Sequence, residues 1–316
     1  MRILVVGAGS IGQLYGHILQ QGGAEVGVYV RPKYVDDARQ GYLLYDRKKG
    51  FSQPERFSPD AIHSSPDELT GEDYDAVLFC VPSTGLRGDW LEPFCAAIGD
   101  ATLITLTPGL DDRKYICERC DVDQLGVGVI TAISYPAPLP GEEVDEPGTA
   151  YWFPPMTPAI FDGPREELGP LVDHLKAGGM NARFRKNLEV EAAYGAAVVN
   201  TFVAALEMVD WSFDAVKSSG EHRKLIDAAW SEAMELIEAR FGEKPPLPLR
   251  FLGPMTLRGG LMMAPVVPPF DLETYLKVHF TKVGEQTRMT LDTYISARSE
   301  RDWESPALSK IRHSMG

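Results

Sequence analysis

Met1-Arg-Ile-Leu-Val-Val-Gly7-Ala8-Gly9-Ser10-Ile11-Gly12 opens the chain, and the fold is decided there. Ile3 to Val6 is a short apolar run rich in β-branched residues, as expected of a strand buried on both faces. Gly7, Gly9 and Gly12 then fall at G-x-G-x-x-G spacing, and an apolar helical stretch continues to Leu19. Each glycine fills a place that a side chain would spoil. The first permits the tight strand-to-helix turn, the second lets backbone approach a pyrophosphate, and the third lets helix pack close on strand. The helix start adds unbonded N–H groups and the positive end of a dipole. Alone, the glycine spacing is weak evidence. After a strand, before a helix and ahead of a second strand at Glu25–Val30, it points to a dinucleotide site made by Gly7, Ala8, Gly9, Ser10, Ile11 and Gly12.

The end of the second strand bears on which dinucleotide. NAD sites place an Asp or Glu there, about 20 residues on, to hold the ribose 2′-hydroxyl. This chain reads Val28-Tyr-Val-Arg31-Pro-Lys33, with no carboxylate before Asp36. Arg31 stands where the acid would be, and a guanidinium can grip a 2′-phosphate through two parallel hydrogen bonds, with Lys33 adding charge. The expected cofactor is NADP(H).

The bulk numbers narrow the class. At 316 residues the chain is long enough for two ordinary domains. A formal charge of −14, from 31 basic and 45 acidic residues, argues against a nucleic-acid partner. Ala192 to Val209 is the most apolar segment, but Asn200 and Glu207 interrupt it, so a buried helix is expected rather than a membrane span. With strand one at the N-terminus no signal peptide is expected. Four cysteines make no disulfide framework, and Cys117-x-x-Cys120 lacks the second pair that zinc would need. A cytoplasmic enzyme acting on a small molecule, without a metal, fits these observations.

Farther along, Gly41 to Ser58 reads as a hairpin with a basic tip at Arg47, Lys48 and Lys49. Asp75–Val81, Thr102–Leu106 and Leu125–Ile130 are further buried strands. Ligands of open α/β sheets lie over the carboxyl ends of the strands. Val81, Pro82, Ser83 and Pro108 should therefore wall the nicotinamide side. Tyr135 to Pro164, dense in Pro and Gly, suits an antiparallel extension of the sheet. The expected class is α/β: a Rossmann domain with a doubly wound, mostly parallel sheet over 1–185, then an all-α substrate domain over 186–316. In the latter, Asn187 to about Lys217 predicts a central helix, apolar nearly all round. Pro245 to Pro269, with seven prolines, predicts a lid, a segment on a partner chain or a plain loop. Asp271 should cap a long last helix running to about Arg298. The apolar run Leu261–Val267 would suit a homodimer interface as well as a lid.

With this order in hand, the chain resembles the ketopantoate reductase (2-dehydropantoate 2-reductase) family. Gly7–Gly12, Arg31, the Gly41–Gly50 hairpin, the Phe161-Asp-Gly163 strand end and a buried helix carrying Asn200 bear the resemblance. It implies reduction of a 2-oxo acid by NADPH, in a cleft between a Rossmann and a helical domain. The catalytic half departs from the pattern. The family's general-acid lysine falls eight residues before Asn200, on Ala192; a family asparagine falls on Pro108, and a family lysine on Pro82. A substrate-binding serine has no counterpart across Pro245–Pro269.

Carbonyl reduction needs a positioned proton donor besides hydride. On a single last helix, Leu272, Leu276, Phe280, Val283 and Leu291 make an apolar face bordered by His279 and Gln286, with Lys282 farther round. Lys282 or His279 is the expected proton donor, and Asn200 the hydrogen-bond donor to the substrate oxygen. Glu285 or Gln286 would hold another substrate polar group, Glu285 matching the family glutamate in identity. Asn200 could equally serve as a satisfied buried amide, Lys282 as a surface lysine and His279 as a boundary residue. Tyr194 is a weaker donor candidate. Two other functions share these features: an opine- or imine-type dehydrogenase, and an NADP(H)-binding regulatory protein without catalysis.

Overall fold

The structure, a computed structural model, describes residues 1–107, 109–122 and 125–315. The chain divides into two compact units, Met1–Leu188 and Glu189–Gly316. The first begins with β1 (Arg2–Val6), α1 (Ser10–Gln21), β2 (Glu25–Tyr29), α2 (Val35–Gln40), β3 (Tyr42–Asp46), β4 (Glu55–Phe57), β5 (Ala61–His63) and β6 (Ala76–Phe79). It continues with α3 (Ser83–Leu86), α4 (Leu91–Ala97), β7 (Thr102–Thr105), α5 (Asp112–Cys120), β8 (Gly126–Val129), β9 (Ile133–Ala137), β10 (Gly148–Trp152), β11 (Ala159–Asp162), α6 (Arg165–Ala177) and β12 (Ala182–Phe184).

The main sheet runs β12-β11-β8-β7-β6-β1-β2-β5, parallel throughout except where β11 meets β8. β1 lies between β2 and β6, so the chain winds one way through β2 and later the other way through β6 and β7. That reversal puts the switch point at the end of β1. The apolar run of β1 is explained by burial on both faces. Ile3 and Val5 join a core with Leu14, Ile18, Leu171 and Leu175, whereas Leu4 and Val6 join another with Leu91, Phe94 and Ile116.

A second sheet, β4-β3-β10-β9, packs on α1. This corrects the expectation for residues 135–164: β11 alone extends the main sheet antiparallel, whereas β9 and β10 join the β3–β4 hairpin. β10 pairs in parallel with β3, Thr149 opposite Leu44, and such remote pairing leaves no local signal. α1 is consequently sandwiched between two sheets and buries Leu14, Tyr15, Gly16, His17, Ile18 and Leu19. A side chain at Gly16 would run into the Phe57 ring of β4. One disulfide, Cys95–Cys120, ties α4 to α5, so Cys120 pairs outside its C-x-x-C motif.

The second unit is helical: α7 (Leu188–Glu207), α8 (Phe213–Ser218), α9 (Gly220–Phe241), α10 (Pro254–Met263), α11 (Leu272–Lys282), α12 (Gly284–Ser299) and α13 (Pro306–Ser314). Three expectations are corrected there. The central helix stops at Glu207, because Asp210 and Trp211 take positive φ and Ser212 caps a separate α8. It is also not buried all round: Val199 is half exposed. Pro245–Pro269 is no long loop, since Pro254 starts α10 where a missing N–H costs nothing, and Leu257 and Leu261, one turn apart, bury its inner face. Finally, Asp271 does cap α11, accepting from the Thr274 amide at 2.6 Å, but the helix breaks at Val283 (φ −107°, ψ 21°) and restarts as α12. A side chain at Gly284 would require the Arg288 guanidinium to move aside. Among the described residues no helix is long and apolar enough to cross a membrane.

Candidate cofactor and catalytic site

The switch point is built from backbone. Gly7 leaves β1 with φ +91°, a conformation that favours glycine, and its amide donates to the Tyr29 carbonyl at 2.9 Å. A Cβ at Gly7 would sit 2.7 Å from Val81 Cγ1, and one at Gly12 would strike the Gly7 carbonyl. The fold needs both glycines. Gly9 differs, because its φ of −71° is open to any residue and a Cβ there would meet nothing within 4 Å. No packing explains this glycine; the open space beside it suits a ligand that must come close to backbone. Gly9 is also the N-cap of α1, with no side-chain cap and no acid in the first turn. The amides of Ser10, Ile11 and Gly12 thus lack the intrahelical partners that later turns have. Ala8 and Ile11 pack on the core beneath. Gln13 donates to the Ala8 carbonyl at 2.8 Å and accepts from Thr149 of β10 at 2.5 Å, bracing the turn against the second sheet.

Positive charge gathers beyond β2. Arg31 and Lys33 are exposed and lie over the Tyr34 ring, at 5.2 and 4.9 Å from its centroid. A hydrogen bond from Lys33, helped by both charges, holds the Tyr34 hydroxyl below its ordinary pKa. The first acid, Asp36, is taken by Arg39 at 3.0 Å, one turn along α2. A dinucleotide pyrophosphate fits the turn, and an anionic ribose substituent fits this cluster.

The exits of β6 and β7 form the other wall. Val81 packs on Gly7, Pro82 is exposed, and Pro108 lies outside the described residues. Ser83 is fully buried and donates its hydroxyl to Asp112 at 2.5 Å. Asp112, itself 1% exposed, also accepts from the Gly109 amide at 2.9 Å and pairs with Arg87 at 2.8 Å. Ser83 therefore serves this wall by fixing the loop. Asp112 escaped sequence reading, because an Asp in the first turn of a helix looks like ordinary dipole complementarity and its partners lie far off in sequence.

In the helical unit, Asn200 of α7 is 5% exposed and donates one amide N–H to the Ala196 carbonyl at 2.8 Å. His279 stacks with Tyr275 (5.3 Å) and meets Phe280 edge-on (4.9 Å). Burial, and then the charge of Lys282, push its imidazole down to about 4. Lys282 and Glu285 are exposed, Gln286 half-buried. The break at Val283 separates His279 and Lys282 from Glu285 and Gln286, so one helical wheel does not describe all four. Among the described residues no hydrogen bond or ion pair joins Asn200 to His279, Lys282 or Glu285. Tyr194 is committed elsewhere, donating to the Glu243 carbonyl at 2.6 Å.

Residues 3–139 match the family model described as ketopantoate reductase PanE/ApbA. No curated protein matches the chain in sequence. Among solved structures it is similar to 2-dehydropantoate 2-reductase from Methylococcus capsulatus, with TM-score 0.73 and 17% identity over 100% of this chain and 96% of that one. A PanE/ApbA family ketopantoate reductase from Ralstonia eutropha JMP134 aligns at TM-score 0.75 and 18% identity, covering 100% and 97%. D-mandelate dehydrogenase with NADH and anilino(oxo)acetate aligns at 0.74 and 14%, again covering 100% and 97%. At such identities the likeness bears on the fold, which is that of the ketopantoate reductases: a mostly parallel α/β sheet followed by helices. Over residues 3–139, then, the chain is similar to the ketopantoate reductase PanE/ApbA family model, and over its whole length it shares the fold of solved ketopantoate reductases.

Proposed function

We propose that this protein reduces a small 2-oxo acid, or a closely related carbonyl, with NADPH in the cytoplasm. The match of residues 3–139 to the ketopantoate reductase PanE/ApbA model supports an oxidoreductase acting on a keto or hydroxy group with a nicotinamide cofactor. The observation that carries the finer reading is the pairing of Gly9, whose missing side chain leaves open space, with Arg31 and Lys33 beyond the next strand. One neighbour in fold is described with NADH. Cofactor choice therefore rests on residues after β2, and here these are cationic. The neighbours' names join 2-dehydropantoate and mandelate, an oxo acid and a hydroxy acid whose reacting carbon adjoins a carboxylate.

The bound nicotinamide would supply hydride to the carbonyl carbon. The protein must then place the carbonyl and protonate its oxygen. His279 is held neutral by burial, so Lys282 is the better proton donor of the two. In this reading the remaining amide N–H of Asn200 bonds the substrate oxygen, and Glu285 holds a second polar group. A homodimer over the exposed Met262, Met263, Val266 and Val267 belongs to the same proposal. NADPH oxidation against a panel of 2-oxo acids tests it. Lys282→Ala should lower kcat about 10²- to 10⁴-fold while NADPH affinity stays put. Unchanged turnover would remove Lys282 from the acid's role.

A further inference from the structure

The loops leaving β6 and β7 are usually separate pieces of chain, free to shift independently. Here they are joined. Asp112, the first residue of α5, receives the Ser83 hydroxyl (2.5 Å) from the β6 side and the Gly109 amide (2.9 Å) from the β7 side, both on Oδ2. Its other oxygen takes Arg87 at 2.8 Å. Arg87 is held a second time, its guanidinium lying 4.0 Å above the ring of Tyr115, one turn farther along α5. The β6 loop is tight as well: the Gly85 amide donates to the Pro82 carbonyl at 2.7 Å, and the Trp90 indole donates to the Gly85 carbonyl at 3.1 Å. At the far end of the same helix, Cys120 is bonded to Cys95 of α4. The α3–α4 segment and α5 are thus fastened near the site by a carboxylate and away from it by a disulfide.

A buried carboxylate is costly unless every oxygen is matched, and these three partners match it. Charge-assisted bonds from a fixed anion are also stiffer restraints than neutral ones. From this geometry we infer that Asp112 is a positioning residue: through Ser83 and the Gly109 amide it locks the exits of β6 and β7 into a single rigid wall for the nicotinamide half of the cofactor. The inference rests on the proposed nucleotide site. Asp112 touches neither phosphate turn nor Arg31 cluster, so its effect should be confined to one half of the ligand.

That confinement supplies the test. Affinities for NADPH and for adenosine 2′,5′-bisphosphate, which lacks the nicotinamide half, are measured by calorimetry on wild type, Asp112→Asn and Ser83→Ala. Thermal melts run beside them. Both variants should bind NADPH about tenfold more weakly, the worth of one charge-assisted bond, and hold the bisphosphate as tightly as wild type. Ser83→Ala keeps the buried Asp112–Arg87 pair, so it stays folded even if Asp112→Asn does not. Equal weakening toward both ligands, or weakening toward neither, would overturn the role of Asp112 while leaving the cofactor site intact. Wild-type protein that binds neither NADPH nor the bisphosphate would overturn the cofactor site and this inference together.

Discussion

In the turn from Gly7 to Gly12 the groups offered to a ligand are backbone amides, set by one strand and one helix that follow each other directly. In the helical unit the candidate groups are side chains at Asn200, His279, Lys282 and Glu285, carried by α7, α11 and α12. The first arrangement survives much sequence change, because only the glycines must be kept. The second depends on where each helix starts, stops and turns, and a single break at Val283 reassigns which residues share a face. The glycine turn can therefore stay recognisable while the side chains of the helical unit change.

The sharpest way to break this comparison is to treat the glycines differently. Gly12→Ala should cost about 3 kcal/mol or more, because its Cβ would strike backbone that cannot move aside. Gly9→Ala should melt within about 1 kcal/mol of wild type, yet lose NADPH binding, since its Cβ enters space kept for the ligand. Equal melting losses in the two variants, by circular dichroism, would erase the distinction between a glycine for folding and one for binding. Next in size, Arg31→Ala should reduce the preference for NADPH over NADH by about 10- to 100-fold, the worth of one to two charge-assisted bonds. An unchanged ratio of kcat/KM values would shift selectivity away from the strand-two cluster.

The smallest effect concerns the helical unit and pH. His279 is pushed down to about 4, so the unfolded chain binds the extra proton before the folded one does. Stability from its neutral form is complete above the ordinary histidine range and is lost as pH falls from about 6.5 toward 4, by on the order of 2 kcal/mol. Replacing His279 with Phe should flatten that part of the urea-midpoint curve against pH. A slope that persists in the variant would place the titrating group elsewhere.

How far each region could be read follows from how local its determinants are. The β1–α1–β2 segment was legible because the strand run, the glycine spacing and the helix are contiguous, and the resemblance to ketopantoate reductases rests partly on the same residues. The second sheet was not, because β3 pairs with β10, whose residues lie about a hundred positions farther along the chain (Leu44 opposite Thr149). The Asp271 cap was legible from one residue; the stop at Val283 was not, because helical periodicity runs unbroken through it. α10 stayed hidden among prolines that turned out to start helical segments rather than exclude them.

Taken alone, the amino-acid order determined a mostly parallel α/β sheet followed by helices and a turn shaped for a nucleotide, since both follow from neighbouring residues and backbone sterics. Only the tertiary structure decided that Gly9 faces open space while Gly12 does not, that Asp112 joins two loops, and that partial burial lowers the pKa of His279. Those three facts depend on atoms brought together from distant parts of the chain, and burial and charge pairing exist only once they meet.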